Sequence, residues 1–131
     1  RRVQIPSVWR PDGADVQLTM ILWPKHQAGV CLRVLPLEEM VKLMAELDRM
    51  ENTNPAKTVL KRFIGSESVQ VTLDKAGRIC LPEEKAQSAG IANEVVMMGV
   101  LNRFEIWNPE RYALVKAADA VVASQAFNLM E

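Results

Sequence analysis

No sign of charge prevails in this chain: sixteen Lys and Arg offset sixteen Asp and Glu across 131 residues, for a formal net charge of zero. A neutral whole offers no electrostatic footprint to a polyanion, which counts against a nucleic-acid binder acting through overall charge. Cysteine is scarce as well. Cys31 and Cys80 are the only two, with no CxxC pair and no ligand at zinc spacing. A disulfide scaffold and a zinc ribbon are therefore excluded, and both cysteines read as small apolar filler in a reducing compartment. His26 is the sole histidine, so no histidine-based metal cluster can be built. Ser7, Ser66, Ser68 and Cys80 lack a nucleophile-elbow context and a recognisable base, so an enzyme is not expected, nor a metal or cofactor. No stretch approaches the ~18 uninterrupted apolar residues of a membrane span and no signal-peptide pattern opens the chain, so a cytoplasmic protein with no membrane partner is expected. The chain opens on Arg1 rather than methionine, inside a motif rather than before it, and further residues are expected upstream.

What is present is a repeat. Arg2-Val3-Gln4-Ile5-Pro6 and Arg78-Ile79-Cys80-Leu81-Pro82 place an arginine, alternating apolar residues and a proline in the same order, 76 positions apart. Farther on, Arg33-Val34-Leu35-Pro36 answers Ile106-Trp107-Asn108-Pro109 at a separation of 73, with the extra length of the first copy assigned to Pro24-Lys25-His26-Gln27-Ala28. Duplicated units signal similar modules that pack together. A hydrophobic content of 49% is enough to close one core, so one pseudo-symmetric domain is expected. Its parts are a first repeat over residues 1–50, a connecting helix over 51–66, and a second repeat with a C-terminal helix over 67–131.

The pattern predicts strands over residues 3–5, 16–23 and 30–35, the last two a hairpin around a polar loop from Pro24 to Gly29, and a short helical stretch over 7–10. Leu37, Met40, Val41, Met44 and Leu47 recur at helical spacing, which predicts a helix whose apolar stripe covers the sheet. Asn54-Pro55 caps and starts a second helix carrying Lys57, Lys61 and Arg62, with Gly65 as its stop. Strands over 69–73 and 78–81 follow, then a short helix from Pro82 whose Glu83-Glu84 suit its first turn, and a hairpin of 95–100 with 104–107. Asn108-Pro109 opens a last helix toward Met130. The methionines and Trp9, Trp23 and Trp107 read as core or subunit-interface filler.

The most informative local chemistry is Asp74-Lys75-Ala76-Gly77-Arg78. A reversal of this kind wants a carboxylate at its first position and a glycine where φ turns positive, roles that Asp74 and Gly77 fill. Arg78 then stands on the outgoing strand within reach of Asp74. From spacing alone two readings stand: a structural ion pair that pins the turn, the commoner use of such pairs, or a guanidinium pre-organised for a phosphate or a guanine edge.

Asp74-x-x-x-Arg78 with Pro82, Glu94-Val95-Val96-Met97-Met98-Gly99 and Phe104-Glu105-Ile106-Trp107 resembles the second half of the MraZ family, and Arg2-Val3-Gln4-Ile5-Pro6 resembles its first half. The family belongs with the SpoVT/AbrB-like transcription factors. The resemblance implies an α+β fold, a small pseudo-two-fold β-barrel of interleaved strands from two AbrB-like repeats, flanked by helices. It also implies a sequence-specific DNA-binding transcriptional regulator of the bacterial division and cell-wall gene cluster. Such a protein is nucleoid-associated and works as a homo-oligomeric ring, an octamer or dodecamer, on repeated promoter boxes of double-stranded DNA.

Carried over residue by residue, Arg78 and Asp74 match the second motif and Arg2 the first. Arg1 stands where the other copy has Gly77, which leaves the shape of the first turn open. The expected DNA-binding residues are Arg1, Arg2, Lys75 and Arg78, with Asp74 and Gly77 orienting the turn. Arg10 and the cations of the second helix read as solvated surface or as added phosphate contacts. Two other classes remain: an AbrB-like antitoxin whose tail, residues 115–130, binds a protein partner, and an oligomeric scaffold with no direct DNA role.

Overall fold

The computed structural model describes residues 2–11 and 16–130. In chain order the elements are β1 (Arg2–Gln4), a single 3-10 turn (Ser7–Trp9), β2 (Gln17–His26), β3 (Gly29–Leu35), α1 (Leu37–Arg49), α2 (Pro55–Glu67), β4 (Ser68–Thr72), β5 (Arg78–Cys80), α3 (Glu83–Ser88), β6 (Val96–Gly99), β7 (Phe104–Trp107) and α4 (Pro109–Phe127). The fold is α+β. One sheet is the antiparallel ribbon β1-β5, and the other has five strands in the order β4-β2-β3-β7-β6. The two enclose a common core in which Ile5, Ile79 and Leu81 from the ribbon side meet Leu18, Met20, Leu32, Val34, Phe104 and Ile106. Among the described residues the ladder does not close into a continuous barrel, because β4 and β6 end the five-stranded sheet.

Strand pairing follows the repeat. Val3 faces Ile79 at the centre of the ribbon, with Arg2 opposite Cys80 and Gln4 opposite Arg78. In the large sheet Arg33 faces Glu105, flanked by Leu32 opposite Ile106 and Val34 opposite Phe104. That register makes Arg33 and Glu105 equivalent, 72 positions apart, rather than the separation of 73 suggested by the prolines. Pro36 caps α1 from outside whereas Pro109 is already inside α4, whose cap is Asn108. Strand residues alternate between faces, so an offset wrong by one would exchange the two sides of the sheet.

Residues alternating with the core set point to the opposite face of the large sheet. There Ile21 and Leu35 pack with Leu47 of α1 and Ile64 of α2, while Cys31 and Trp107 pack under Val115 of α4. Three sequence expectations change. The α1 stripe is rotated: Glu39 and Leu47 are buried, whereas Leu37, Val41 and Met44 are 71%, 51% and 47% exposed. The apolar positions of α1 permit two stripes, and the anchoring of Glu39 to the β6–β7 loop selects one. Helix α2 runs through Gly65 to Glu67, since burial of neighbouring Ile64 offsets the ~1 kcal/mol a mid-helix glycine costs. Strand β2 extends to His26 through an irregularity between Trp23 and His26. A bulge of this kind accommodates Pro24, which has no N–H to give the ladder.

Candidate nucleic-acid interface

The ribbon packs one face on the core. Val3 and Ile79 take the core side, so period-two alternation turns Arg2, Gln4, Arg78 and Cys80 outward together. Arg2, Gln4 and Cys80 are exposed and Arg78 is half-buried. At one end the chain reverses through Asp74 to Gly77, where the Gly77 N–H donates to the Asp74 carbonyl at 3.0 Å and the Asp74 N–H to the Arg78 carbonyl at 2.8 Å. Oδ1 of Asp74 accepts the N–H groups of Ala76 at 2.9 Å and Arg78 at 2.8 Å. Oδ2 accepts Nε of Arg78 at 3.2 Å. The backbone N–H of Arg78, foremost, holds the Asp74 carboxyl below its usual value, with the Arg78 guanidinium and the Ala76 N–H adding to it.

The same Oδ2 lies 3.5 Å from Nη1 of Arg2. One carboxylate therefore sits between two arginines at equivalent positions of the two copies. These side chains are 61% exposed at Arg2 and 42% at Arg78, so the pairs add at most about 1 kcal/mol to stability. What the arrangement supplies is orientation: two guanidinium forks held on one open surface, each with donors left over, the geometry suited to phosphate or to a guanine edge. Lys75 and Ala76 are exposed at the tip of the turn. Arg1 lies outside the described residues.

Residues of the first copy also hold the turn of the second. The Ile5 N–H donates to the Gly77 carbonyl at 2.8 Å, and Nε2 of Gln4 donates to the Ala76 carbonyl at 2.8 Å. Nε of Arg10 donates to the Ile5 carbonyl at 2.7 Å. Its guanidinium then lies so close to Gly77 that a Cβ there would have to push this side-chain end aside. Gly77 has φ +78° besides, so the backbone conformation calls for glycine. Gln4 was not singled out by sequence, since its contact depends on a pairing across 72 positions; strand alternation gives only the face it takes, and the β1–β5 register sets it beside Arg78.

The cations of α2 lie elsewhere. That helix packs on the far side of the large sheet through Ile64. There Lys61 pairs with Asp48 at 3.4 Å, and Lys57 donates to Asn52 at 2.7 Å.

Comparison with known proteins decides the ancestry. The family described as "MraZ protein, putative antitoxin-like" matches residues 64–126. The protein named Transcriptional regulator MraZ of Clostridium acetobutylicum is 34% identical over 111 residues, covering 85% of this chain and 75% of the relative. The chain belongs to the MraZ family. The MraZ proteins of Histophilus somni strain 2336 and Shewanella amazonensis carry the same printed name, at 27% identity over 131 residues and 29% over 126. These matches cover 99% and 95% of this chain and 86% and 82% of the respective relatives. The MraZ match therefore takes in both copies, including the ribbon that they build together.

Proposed function

We propose that this MraZ-family chain is a DNA-binding transcriptional regulator that contacts duplex DNA through Arg1, Arg2, Lys75 and Arg78, with Asp74 and Gly77 fixing the turn. The observation that carries this reading is the convergence of Arg2 and Arg78 on one exposed face around a shared carboxylate. A two-stranded ribbon fits a major groove, and arginine complements both phosphate and guanine. The names of the relatives point the same way.

The chain's zero net charge is reconciled with DNA binding by multiplicity. Apolar side chains stand exposed on α1 and along α4, among them Val41, Met44, Leu114, Val121 and Phe127. Such faces favour association with further copies. A homo-oligomeric ring would present the ribbon repeatedly to repeated promoter boxes of the division and cell-wall gene cluster, where several weak contacts combine through effective concentration. Its place is the cytoplasm, at the nucleoid; no described helix is long and apolar enough to cross a membrane. The two halves, residues 1–50 and 67–131 joined through 51–66, act as one pseudo-symmetric reader.

Arg2→Ala tests the proposal in a mobility-shift titration on the DNA upstream of the protein's own gene. Loss of one guanidinium is expected to weaken binding about 5- to 150-fold and to reduce the salt slope by about one. Unchanged affinity and slope would remove Arg2 from the interface. A second reading, an antitoxin-like protein or scaffold that binds a protein partner through α4, draws on the exposed apolar length of that helix and on the family's description. It predicts a co-purifying partner that is lost on deleting residues 115–130; a pure scaffold would in addition enrich no DNA motif at low salt.

A further inference from the structure

We propose that Gln4 is a base-reading residue whose ligand is the major-groove edge of adenine, next to the base contacted by Arg78; this rests on the DNA-binding reading of the ribbon. Gln4 is exposed on the outward face directly across the strand pair from Arg78. Its amide is already oriented. The carbonyl of Ala76, 2.8 Å away, can only accept, so the atom facing it must be Nε2. The Gly77 carbonyl takes the Ile5 N–H at 2.8 Å and also lies 3.5 Å from Nε2 of Gln4, a weak contact at the limit of hydrogen-bond length. Among the described residues Oε1 takes no hydrogen bond, and the second N–H of Nε2 is held only by that weak contact, which a base can replace, so the amide offers an acceptor beside a donor.

Adenine presents the matching pair in the major groove, with N7 accepting and N6–H2 donating. Guanine presents two acceptors there, which leaves Oε1 facing a carbonyl oxygen. A side chain held in position before binding loses less rotamer freedom on complex formation than a free one. Cross-strand neighbours stand roughly 5 Å apart at Cβ, so Gln4 and Arg78 reach bases at neighbouring steps.

Pseudo-symmetry supplies an internal control. The position equivalent to Gln4 in the second copy is Cys80, opposite Arg2, and a thiol cannot make a bidentate contact. The ribbon therefore carries matched arginines with unmatched companions, and the adenine preference belongs to the Arg78 side alone.

The test is selection from random duplexes with the full chain, comparing wild type with Gln4→Ala and Gln4→Glu. Wild type is expected to enrich an adenine beside a guanine. Gln4→Ala should lower the preference for that adenine about 5- to 150-fold while keeping the guanine. Gln4→Glu, with acceptors only, should move the preference to cytosine at the same position. An unchanged motif in Gln4→Ala, or equal weakening at every position, overturns the assignment and leaves the arginine reading standing. Wild type enriching no motif overturns both. Circular dichroism of the variants confirms that each is folded.

Discussion

Glu39 and Arg111 are each the third residue of a helix, α1 and α4, and each grips the hairpin of the other copy with opposite chemistry. Glu39, 7% exposed, accepts Nδ2 of Asn102 at 2.8 Å and lies 3.6 Å from Nη2 of Arg103, both on the β6–β7 loop. Arg111 donates Nη1 to the Val30 carbonyl at 3.0 Å and lays its side chain against Gly29 of the β2–β3 hairpin, and also against Gly90 of its own copy. The pseudo-dyad shows the same divergence, where Arg33 meets Glu105 at 2.8 Å and lies 4.1 Å over the Trp23 ring. In a symmetric dimer of single repeats, whatever residue sits on the dyad faces its own copy, so a charge there is repelled. Two copies in one chain remove that constraint, and equivalent positions become free to carry complementary charges.

The largest test breaks the central pair. Arg33→Glu sets two carboxylates face to face in a site where the side chains of Arg33 and Glu105 are 18% and 15% exposed, and is expected to cost about 3–5 kcal/mol in denaturant unfolding. Adding Glu105→Arg should recover more than half of that loss. Failure of the double exchange to recover any stability would show that the position tolerates only one polarity.

A smaller effect separates the two clamps. Glu39→Gln and Arg111→Met, each removing one charged partner, are expected to lower stability by about 1–3 kcal/mol. Hydrogen exchange should speed up at the β6–β7 hairpin in the first and at the β2–β3 hairpin in the second. The opposite pattern, or one common to both variants, would refute the crossed assignment.

The pair also acts on Cys31 beneath it. Burial, foremost, and then the charge of Glu105 push this thiol up from 9.0 to about 12, against the opposing pull of Arg33. The folded value lies above the unfolded one, so the stabilising contribution of the neutral thiol is complete below about pH 9 and is lost as pH climbs toward 12. At pH 8 a thiol reagent should modify Cys31 only as fast as the chain unfolds; fast modification in the native state would place it outside the core.

The smallest expected change concerns the hairpin tips. Leu101 adopts φ 63° with its side chain wholly exposed, a conformation that costs a non-glycine residue roughly 1 kcal/mol. Leu101→Gly should raise the melting temperature by a few degrees at most. The turn of the first copy has Gly29 in positive φ already and offers no such gain.

Several elements were legible because their causes are local. Asn54 and Asn108, each followed by proline, mark helix starts wherever the rest of the chain lies, and both side chains accept N–H groups as caps. The twin Arg-x-x-x-Pro segments were visible as text, and so was the turn chemistry of Asp74 and Gly77. The stripe that α1 buries was not, because its apolar residues fit two faces and the choice fell to Asn102 and Arg103, more than sixty positions away. Nor did the prolines give the right offset between copies, since one lies outside its helix and the other inside.

By itself the sequence determined that there are two copies, which reversals they contain and which residues stand beside the turn, since hydrogen bonds and φ preferences act within a few residues of chain. Only the folded chain decided that Arg2 and Arg78 meet over one carboxylate and that Gln4 lies beside them. Those contacts span 72 or more positions, and they exist because burying Val3 and Ile79 leaves the ribbon a single face to turn outward.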